Sequence, residues 1–264
     1  MTEKSKVFGT KEWAKYNFNI VKGCEHGCLY CYAHYNDVKR FKTVTEENWK
    51  KLTLIPKNVN KKWKKMSGTI MFPTQHDIFP EIMPETITVL KSMLSAGNNV
   101  LIVSKPHLEC IKAICDELAQ YKEQILFRFT IGALNDYILS YWEPNAPDSN
   151  ERIESLEYAY NHGFRTSISM EPVLDWENLI FNFKSMATFV TDSIWVGIMN
   201  DINKRVEIKT DEDRKRVNDL VKWHNMENYQ KVYNQLKDHP LIKWKESMKS
   251  ALGLEIPDEI GLDV

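Results

Sequence analysis

Short β-branched runs alternate with longer amphipathic segments along most of this 264-residue chain, and that alternation constrains its fold more than any other feature. The strand-like runs are 16–21, 69–72, 99–104, 125–131, 166–170 and 193–198. Helical segments stand between them: 84–96, closed by Gly97; 108–121; and 150–161, which begins behind Asp148 with Glu151 three residues on and stops near Gly163. Strands separated by helices pair in parallel through right-handed crossovers. Residues 16–200 therefore predict an α/β fold, a partial (β/α)6 TIM-like barrel, with ligands gathering at the C-terminal ends of the strands. Beyond Asp211 the pattern is helical, with Leu220, Val221, Trp223, Tyr229, Val232, Tyr233 and Leu236 on the faces expected to be buried. The expected division is a barrel of residues 1–204 and a helical C-terminal extension, 205–264, packed on it.

With 43% hydrophobic residues and only ten glycines and ten prolines, the composition excludes a disordered, collagenous or low-complexity protein. No stretch approaches the ~18 uncharged apolar residues of a membrane span. The opening Met-Thr-Glu-Lys-Ser-Lys lacks the apolar stretch of a signal peptide, so the expected location is the cytoplasm. Net charge is −1 but unevenly spread: through Met66, fifteen Lys/Arg against six Asp/Glu give +9, and the remainder carries −10. That division fits either one positive face toward a polyanion or anionic substrate, or a solvated helical surface.

Three of the five cysteines fall within eight residues, Cys24-Glu25-His26-Gly27-Cys28-Leu29-Tyr30-Cys31, a Cys-x3-Cys-x2-Cys array. An odd count without a secretory signal argues against a disulfide framework. Thiolates this close on one loop can converge on a single inorganic site. Structural zinc takes four protein ligands, whereas a [4Fe-4S] cluster holds four irons, normally one per cysteine. Three cysteines leave one iron open to a small molecule; alternatively, His26 or His34 closes the site as a fourth ligand to zinc. No second Cys/His pair follows at finger-like spacing, and Cys110 and Cys115, in a helical pattern, read as buried small hydrophobes.

With Tyr30 ahead of Cys31, the array resembles the signature of the radical S-adenosylmethionine (SAM) superfamily, Cys-x3-Cys-x-aromatic-Cys. The resemblance implies that Cys24, Cys28 and Cys31, on a loop at 23–34, bind a [4Fe-4S] cluster whose unique iron chelates the amino and carboxylate groups of SAM. One-electron reduction then cleaves the S–C5′ bond, and the 5′-deoxyadenosyl radical abstracts hydrogen from a substrate. It also implies a one-electron reductant such as flavodoxin or ferredoxin.

Within the superfamily, residues 17–176 resemble the spore photoproduct lyase-like branch. The likeness is carried by Tyr30-Cys31-Tyr32-Ala33, Val103-Ser104-Lys105, Phe127-Arg128-Phe129-Thr130, Glu143-Pro144-Asn145-Ala146-Pro147 with Arg152 behind it, and Ser169-Met170-Glu171-Pro172. By position, it implies that Lys105, beside Ser104, contacts the cofactor's carboxylate. Thr130 is the small hydroxyl residue near the cofactor, and Tyr30 and Tyr32 pack against cluster and adenine. The loop Pro73-Thr74-Gln75-His76-Asp77 sits where the superfamily holds the methionine amino group, largely through backbone carbonyls, which brings Thr74, Gln75 and His76 to the cofactor. Glu171 is expected to face the cavity and bind ribose or substrate. Plainer readings stand beside these: a loop lysine, packed rings, an ordinary strand threonine, and a His76–Asp77 pair that either caps the strand or transfers protons. Genuine photoproduct lyases return hydrogen to the product radical from a cysteine on the strand-two loop. Here Thr74 stands near that position, and an O–H bond is a poor hydrogen donor to a carbon radical, so dimer repair is not expected.

Five lysines surround Trp63 between Lys57 and Lys65. They suit phosphates with a base stacked on the ring, or a surface segment with Trp63 turned inward. Three functions stay open: a radical SAM enzyme acting on an unidentified substrate, one that repairs or modifies nucleic-acid bases, and a zinc or iron–sulfur protein without radical chemistry.

Overall fold

The computed structural model describes residues 7–261. Among these, seven strands form one sheet in chain order: β1 (Tyr16–Asn17), β2 (Ile70–Phe72), β3 (Val100–Ser104), β4 (Ile125–Thr130), β5 (Arg165–Met170), β6 (Ser193–Val196) and β7 (Ile242–Trp244). Every neighbouring pair is parallel. The crossovers carry α1 (Met83–Ser95), α2 (Leu108–Glu117), α3 (Asp136–Trp142), α4 (Ser149–Asn161), α5 (Leu179–Met186), α6 (Asp211–Val221) and α7 (Met226–Leu236), and α8 (Glu246–Leu252) follows β7. Helix boundaries obey the expected signals. Asp148 accepts from the Glu151 amide at 2.8 Å to cap α4, and Gly97, at φ +82, turns the chain after α1.

The strands' two-residue period sorts their side chains into two groups. Ile70, Phe72, Ile102, Phe127, Phe129, Ile168 and Ile194 face the helices and build the main core, each contributing roughly 1.5–3 kcal/mol by burial. Met71, Leu101, Leu126 and Trp195 point the other way and form a separate inner cluster with Trp13 and Ala14. Arg128 is fully buried on that inner face. Its Nε donates to Ser167 Oγ at 3.0 Å, and its guanidinium lies 4.6 Å from the Trp13 ring centre and 5.1 Å from that of Trp195. Aromatic rings offset part of the cost of burying the charge, and burial still lowers the Arg128 pKa to about 9.

Three sequence expectations change. The first strand is split: Phe18 N still donates to Met71 O at 3.0 Å, but Val21–Lys22 turns away to pair antiparallel with Thr53–Leu54. Asn19, between them, leaves the ladder to hold the loop after β2, with Oδ1 accepting from the Thr74 and Gln75 amides at 2.7 and 2.9 Å. Second, the C-terminal segment read as helical also supplies β7, which covers the buried ladder edge of β6. Three residues including Lys243 are too few to show alternation. Third, Val221 is 41% exposed, whereas Leu220, Tyr229, Val232 and Leu236 are buried. Trp63 packs edge-on to Phe18 with ring centres 4.8 Å apart, under Lys61 at 3.8 Å, and so is not free to stack on a base. No described helix is long and apolar enough to cross a membrane.

Candidate active site

The three cysteines owe their placement to two glycines and to the chain after α3. Gly23 has φ +96, and a Cβ there would stand 2.3 Å from Lys51 O and 2.6 Å from Trp49 O, so only glycine fits. The turn delivers Cys24, whose amide donates to Trp49 O at 2.8 Å. Gly27, at φ +66, makes the second turn. Leu29 N then donates to Trp142 O at 3.0 Å, while Asn145 donates through its amide to His26 O at 3.1 Å and through Nδ2 to Glu25 O at 3.0 Å. Cys31 caps the helical turn Tyr32–His34, its Sγ accepting from His34 N at 3.4 Å, and the chain continues as a π-helical turn, Tyr35–Arg40. Gly23→Ala is expected to cost about 1–3 kcal/mol in chemical denaturation, the usual range for backbone strain, and to lower iron loading by displacing Cys24.

A cavity of about 1070 Å³ opens at the C-terminal ends of the strands, and all twelve residues expected at the cofactors line it. Cys24, Cys28 and Cys31 share it with Tyr30 and Tyr32; Thr74, Gln75 and His76 come from the loop after β2, Ser104 and Lys105 from β3, Thr130 from β4 and Glu171 from β5. Their postures differ from the simplest expectation. Tyr32 donates its hydroxyl to Thr74 O, and Tyr30, buried, donates to Glu143. Ser104 Oγ donates to Asp77 Oδ1 at 2.9 Å.

His76 and Asp77 are not a proton-transfer pair. The Nδ1 of His76 donates to the Asp77 carbonyl at 2.7 Å and its Nε2 accepts from Ile20 N at 3.2 Å, while burial lowers its pKa to about 4 and keeps it neutral. The Asp77 carboxylate instead lies 2.8 Å from His26 Nδ1, accepts from the Lys105 amide at 2.8 Å and stands 4.0 Å from Lys105 Nζ. Burial raises Asp77, but Lys105 and His26 outweigh it and hold the carboxyl well below its usual range.

Lys105 Nζ is also 4.0 Å from Glu143, whose other oxygen meets Arg152 at 2.6 Å, both side chains fully buried. Arg152 donates from Nε to Pro147 O at 2.8 Å and from NH1 to Thr130 O at 3.2 Å, which ties the loop behind the cysteines to the end of β4. Burial works against the charge on Glu143, yet Arg152 and Lys105 keep its carboxyl below the ordinary value. Burial likewise opposes Lys105, and the acidic groups around it, Cys28, Tyr30, Asp77 and Glu143, hold its ammonium well above.

The thiols are electrostatically coupled. Burial, then the charges of Asp77 and Cys31, push Cys24 up to about 12; burial also raises Cys28 and Cys31. Cys24 Sγ, a His26 ring nitrogen and an Asp77 oxygen lie within 4.8 Å of one another. His26 is nonetheless engaged on both ring nitrogens, by Asp77 and, at 3.1 Å, by His107, and His34 Nε2 sits 2.9 Å from Glu46. Both histidines are thus engaged by other side chains. Cys110 and Cys115 are buried in α2, away from the cavity. Sequence reasoning missed Asn19, the anchoring of Asp77 by His26, and Lys245 and Glu246 in the cavity lining with Glu12 buried behind them; none carries a periodic or spacing signal.

Residues 18–178 match the Radical SAM superfamily. This chain belongs to that superfamily. A relative, "Uncharacterized protein ORF301" of Acidianus two-tailed virus, is 26% identical over 215 residues, 74% of this chain and 69% of that one. Among solved structures, a spore photoproduct lyase variant with a dinucleoside spore photoproduct superposes with TM-score 0.55 at 12% identity, covering 92% of this chain and 79% of that one. Streptococcus suis SuiB bound to S-adenosylmethionine gives TM-score 0.53 at 14% identity, covering 90% of this chain and 52% of the other. At such identities the structural likeness is one of fold. As a radical SAM enzyme the protein uses a [4Fe-4S] cluster, SAM and a reductant. The donor set fits: three thiols face one cavity, and the other donors beside Cys24, His26 and Asp77, are hydrogen-bonded to each other and to His107, Ser104 and the Lys105 amide, so that a cluster held by the three cysteines would keep one iron open.

Proposed function

We propose that this radical SAM enzyme seats SAM between the cysteine loop and the ends of β2 to β5, and abstracts hydrogen from a substrate held in the rest of the cavity. The observation that supports this reading is the convergence of the twelve residues on one cavity of about 1070 Å³, at the upper end of the roughly 300–1,000 Å³ range of small-ligand pockets. Cys24, Cys28 and Cys31 would hold the cluster, which when bound supplies the electron for reductive cleavage of the S–C5′ bond. Lys105, its ammonium fixed in charge but no closer than 4.0 Å to either carboxylate, has donors left for the cofactor's carboxylate. The loop of Thr74, Gln75 and His76, held by Asn19, takes the amino end; Tyr32 and Thr130 flank the adenosine, and Glu171 meets the ribose. A cytoplasmic flavodoxin or ferredoxin would serve as reductant.

Photoproduct repair by hydrogen return from a chain thiol is not the reading favoured. Thr74 Oγ1 accepts from Asn19 Nδ2 at 2.7 Å, and the two cysteines outside the cluster loop lie in α2. Base modification loses the stacking platform sought in Trp63. The test is Lys105→Met: equilibrium SAM binding to anaerobically reconstituted protein is expected to weaken by about 30-fold or more, the cost of truncating one partner of a buried charge pair. Unchanged affinity would refute the assignment.

A further inference from the structure

Lys245, at the end of β7 and outside the family-matched segment, is 1% exposed. Its Nζ stands 2.5 Å from Glu12, 3.3 Å from Glu246 and 3.4 Å from Glu171, donates to Gly9 O at 3.1 Å and lies 4.1 Å from the Trp13 ring centre. Gly9 and Glu12 precede β1 and Lys245 follows β7, so one ammonium ties the first edge of the sheet to its last. Three carboxylates around one ammonium exceed what charge balance requires. Of the three, Glu171 has the most open side chain, 22% exposed, and it lies among the cavity-lining residues. The end of β6 makes room for the contact: a Cβ on Gly197 would stand 2.9 Å from Glu171 Cγ and 3.0 Å from Lys245 Cβ. Glu171 is also felt by Tyr32 on the cysteine loop, its charge adding to burial and Cys31 in raising that hydroxyl.

We propose that Lys245 is a positioning residue for Glu171, fixing where its carboxylate stands on the cavity wall and aiming it at SAM, so that the C-terminal segment completes the cofactor site. This rests on the assignment of Glu171 as a cofactor contact. The electrostatics agree with the geometry. Burial raises Glu171, Lys245, helped by Arg205, opposes it, and Glu246 adds to the rise, so the carboxyl stays above its usual value and Lys245 limits how far. Burial and Glu246 push Glu12 up to about 8, against the pull of Lys245. Without Lys245, Glu171 would lose its anchor.

A double-mutant cycle tests this, read as equilibrium SAM affinity of the anaerobically reconstituted full chain, with thermal melting followed separately. Lys245→Met and Glu171→Gln are each expected to weaken SAM binding about tenfold, and the double variant no more than either alone, a coupling within the range of contacting residues. If Lys245→Met weakens binding equally with and without Glu171→Gln, or leaves it unchanged, Lys245 serves only the fold and the proposal is wrong. If Glu171→Gln alone leaves affinity unchanged, the cofactor assignment of Glu171 fails and takes this proposal with it. Should Lys245→Met prove too unstable to load, the same comparison is made with Glu12→Gln and Glu246→Gln added, which removes the two buried carboxylates left without their ammonium.

Discussion

Cys28→Ala is expected to abolish both iron retention and the formation of 5′-deoxyadenosine from SAM and dithionite, while the metal-free protein stays folded. The two effects separate for a physical reason. In the metal-free chain, burial holds the Cys28 thiol well above its ordinary pKa, so it is neutral, and its loss removes no charge from the network around Lys105. The stability cost should therefore remain within roughly 1 kcal/mol of the parent, as for a small substitution that leaves no buried group unpaired. Two remaining thiols cannot hold a cubane that needs three anchors and one free iron. Iron analysis gives the first readout, with about four irons per parent chain expected from the cluster's stoichiometry, and chromatography of the nucleoside product gives the second. A variant that retained the full iron content would place the cluster elsewhere.

The second large effect belongs to Glu143 and Arg152. Their contact at 2.6 Å is wholly buried, and removing one partner leaves an uncompensated charge beside the cysteine loop. Arg152→Met is expected to destabilise the protein by about 3–5 kcal/mol in urea or guanidinium unfolding. Glu143→Gln should cost less, because it leaves Arg152 its two carbonyl acceptors, Pro147 O and Thr130 O. The pH dependence carries a definite sign. Arg152 and Lys105 overcome burial to hold Glu143 below its ordinary value, so the folded state binds this proton more weakly than the unfolded state. The contribution is therefore complete above the unfolded carboxylate pKa, roughly 4.3, and is lost as pH falls through the lower folded value. Glu143→Gln should flatten that acid limb; an unchanged limb would show that the pair does not carry it.

The parts of this architecture legible in the sequence are those with short-range signatures. Phe127, Phe129, Ile102 and Ile168 announced strands because short apolar and β-branched runs stand out between helical segments, and Cys24, Cys28, Tyr30 and Cys31 announced the cluster loop because its ligands are close along the chain. Glu143 and Arg152 were legible as a motif but not as an ion pair. Lys245 was not legible at all: it reaches Gly9 across 236 residues, and such a contact follows from how a curved sheet brings its edges together. The same holds for Asn19, whose departure from the ladder cuts the first strand short. His76 and Asp77, adjacent in sequence, looked like partners, yet the carboxylate turns to His26 and Lys105 while the ring serves the backbone. Adjacency along a chain leaving a strand does not place two side chains on the same side.

The most direct test of the central claim, that this chain leaves one iron of a three-cysteine cluster for SAM, is electron paramagnetic resonance of the anaerobically reconstituted, dithionite-reduced protein with and without SAM. The account predicts a reduced [4Fe-4S] signal whose g-values change on adding SAM, and whose response is lost in Cys28→Ala. A protein that takes up stoichiometric zinc and no iron, or a cluster signal indifferent to SAM, would contradict it.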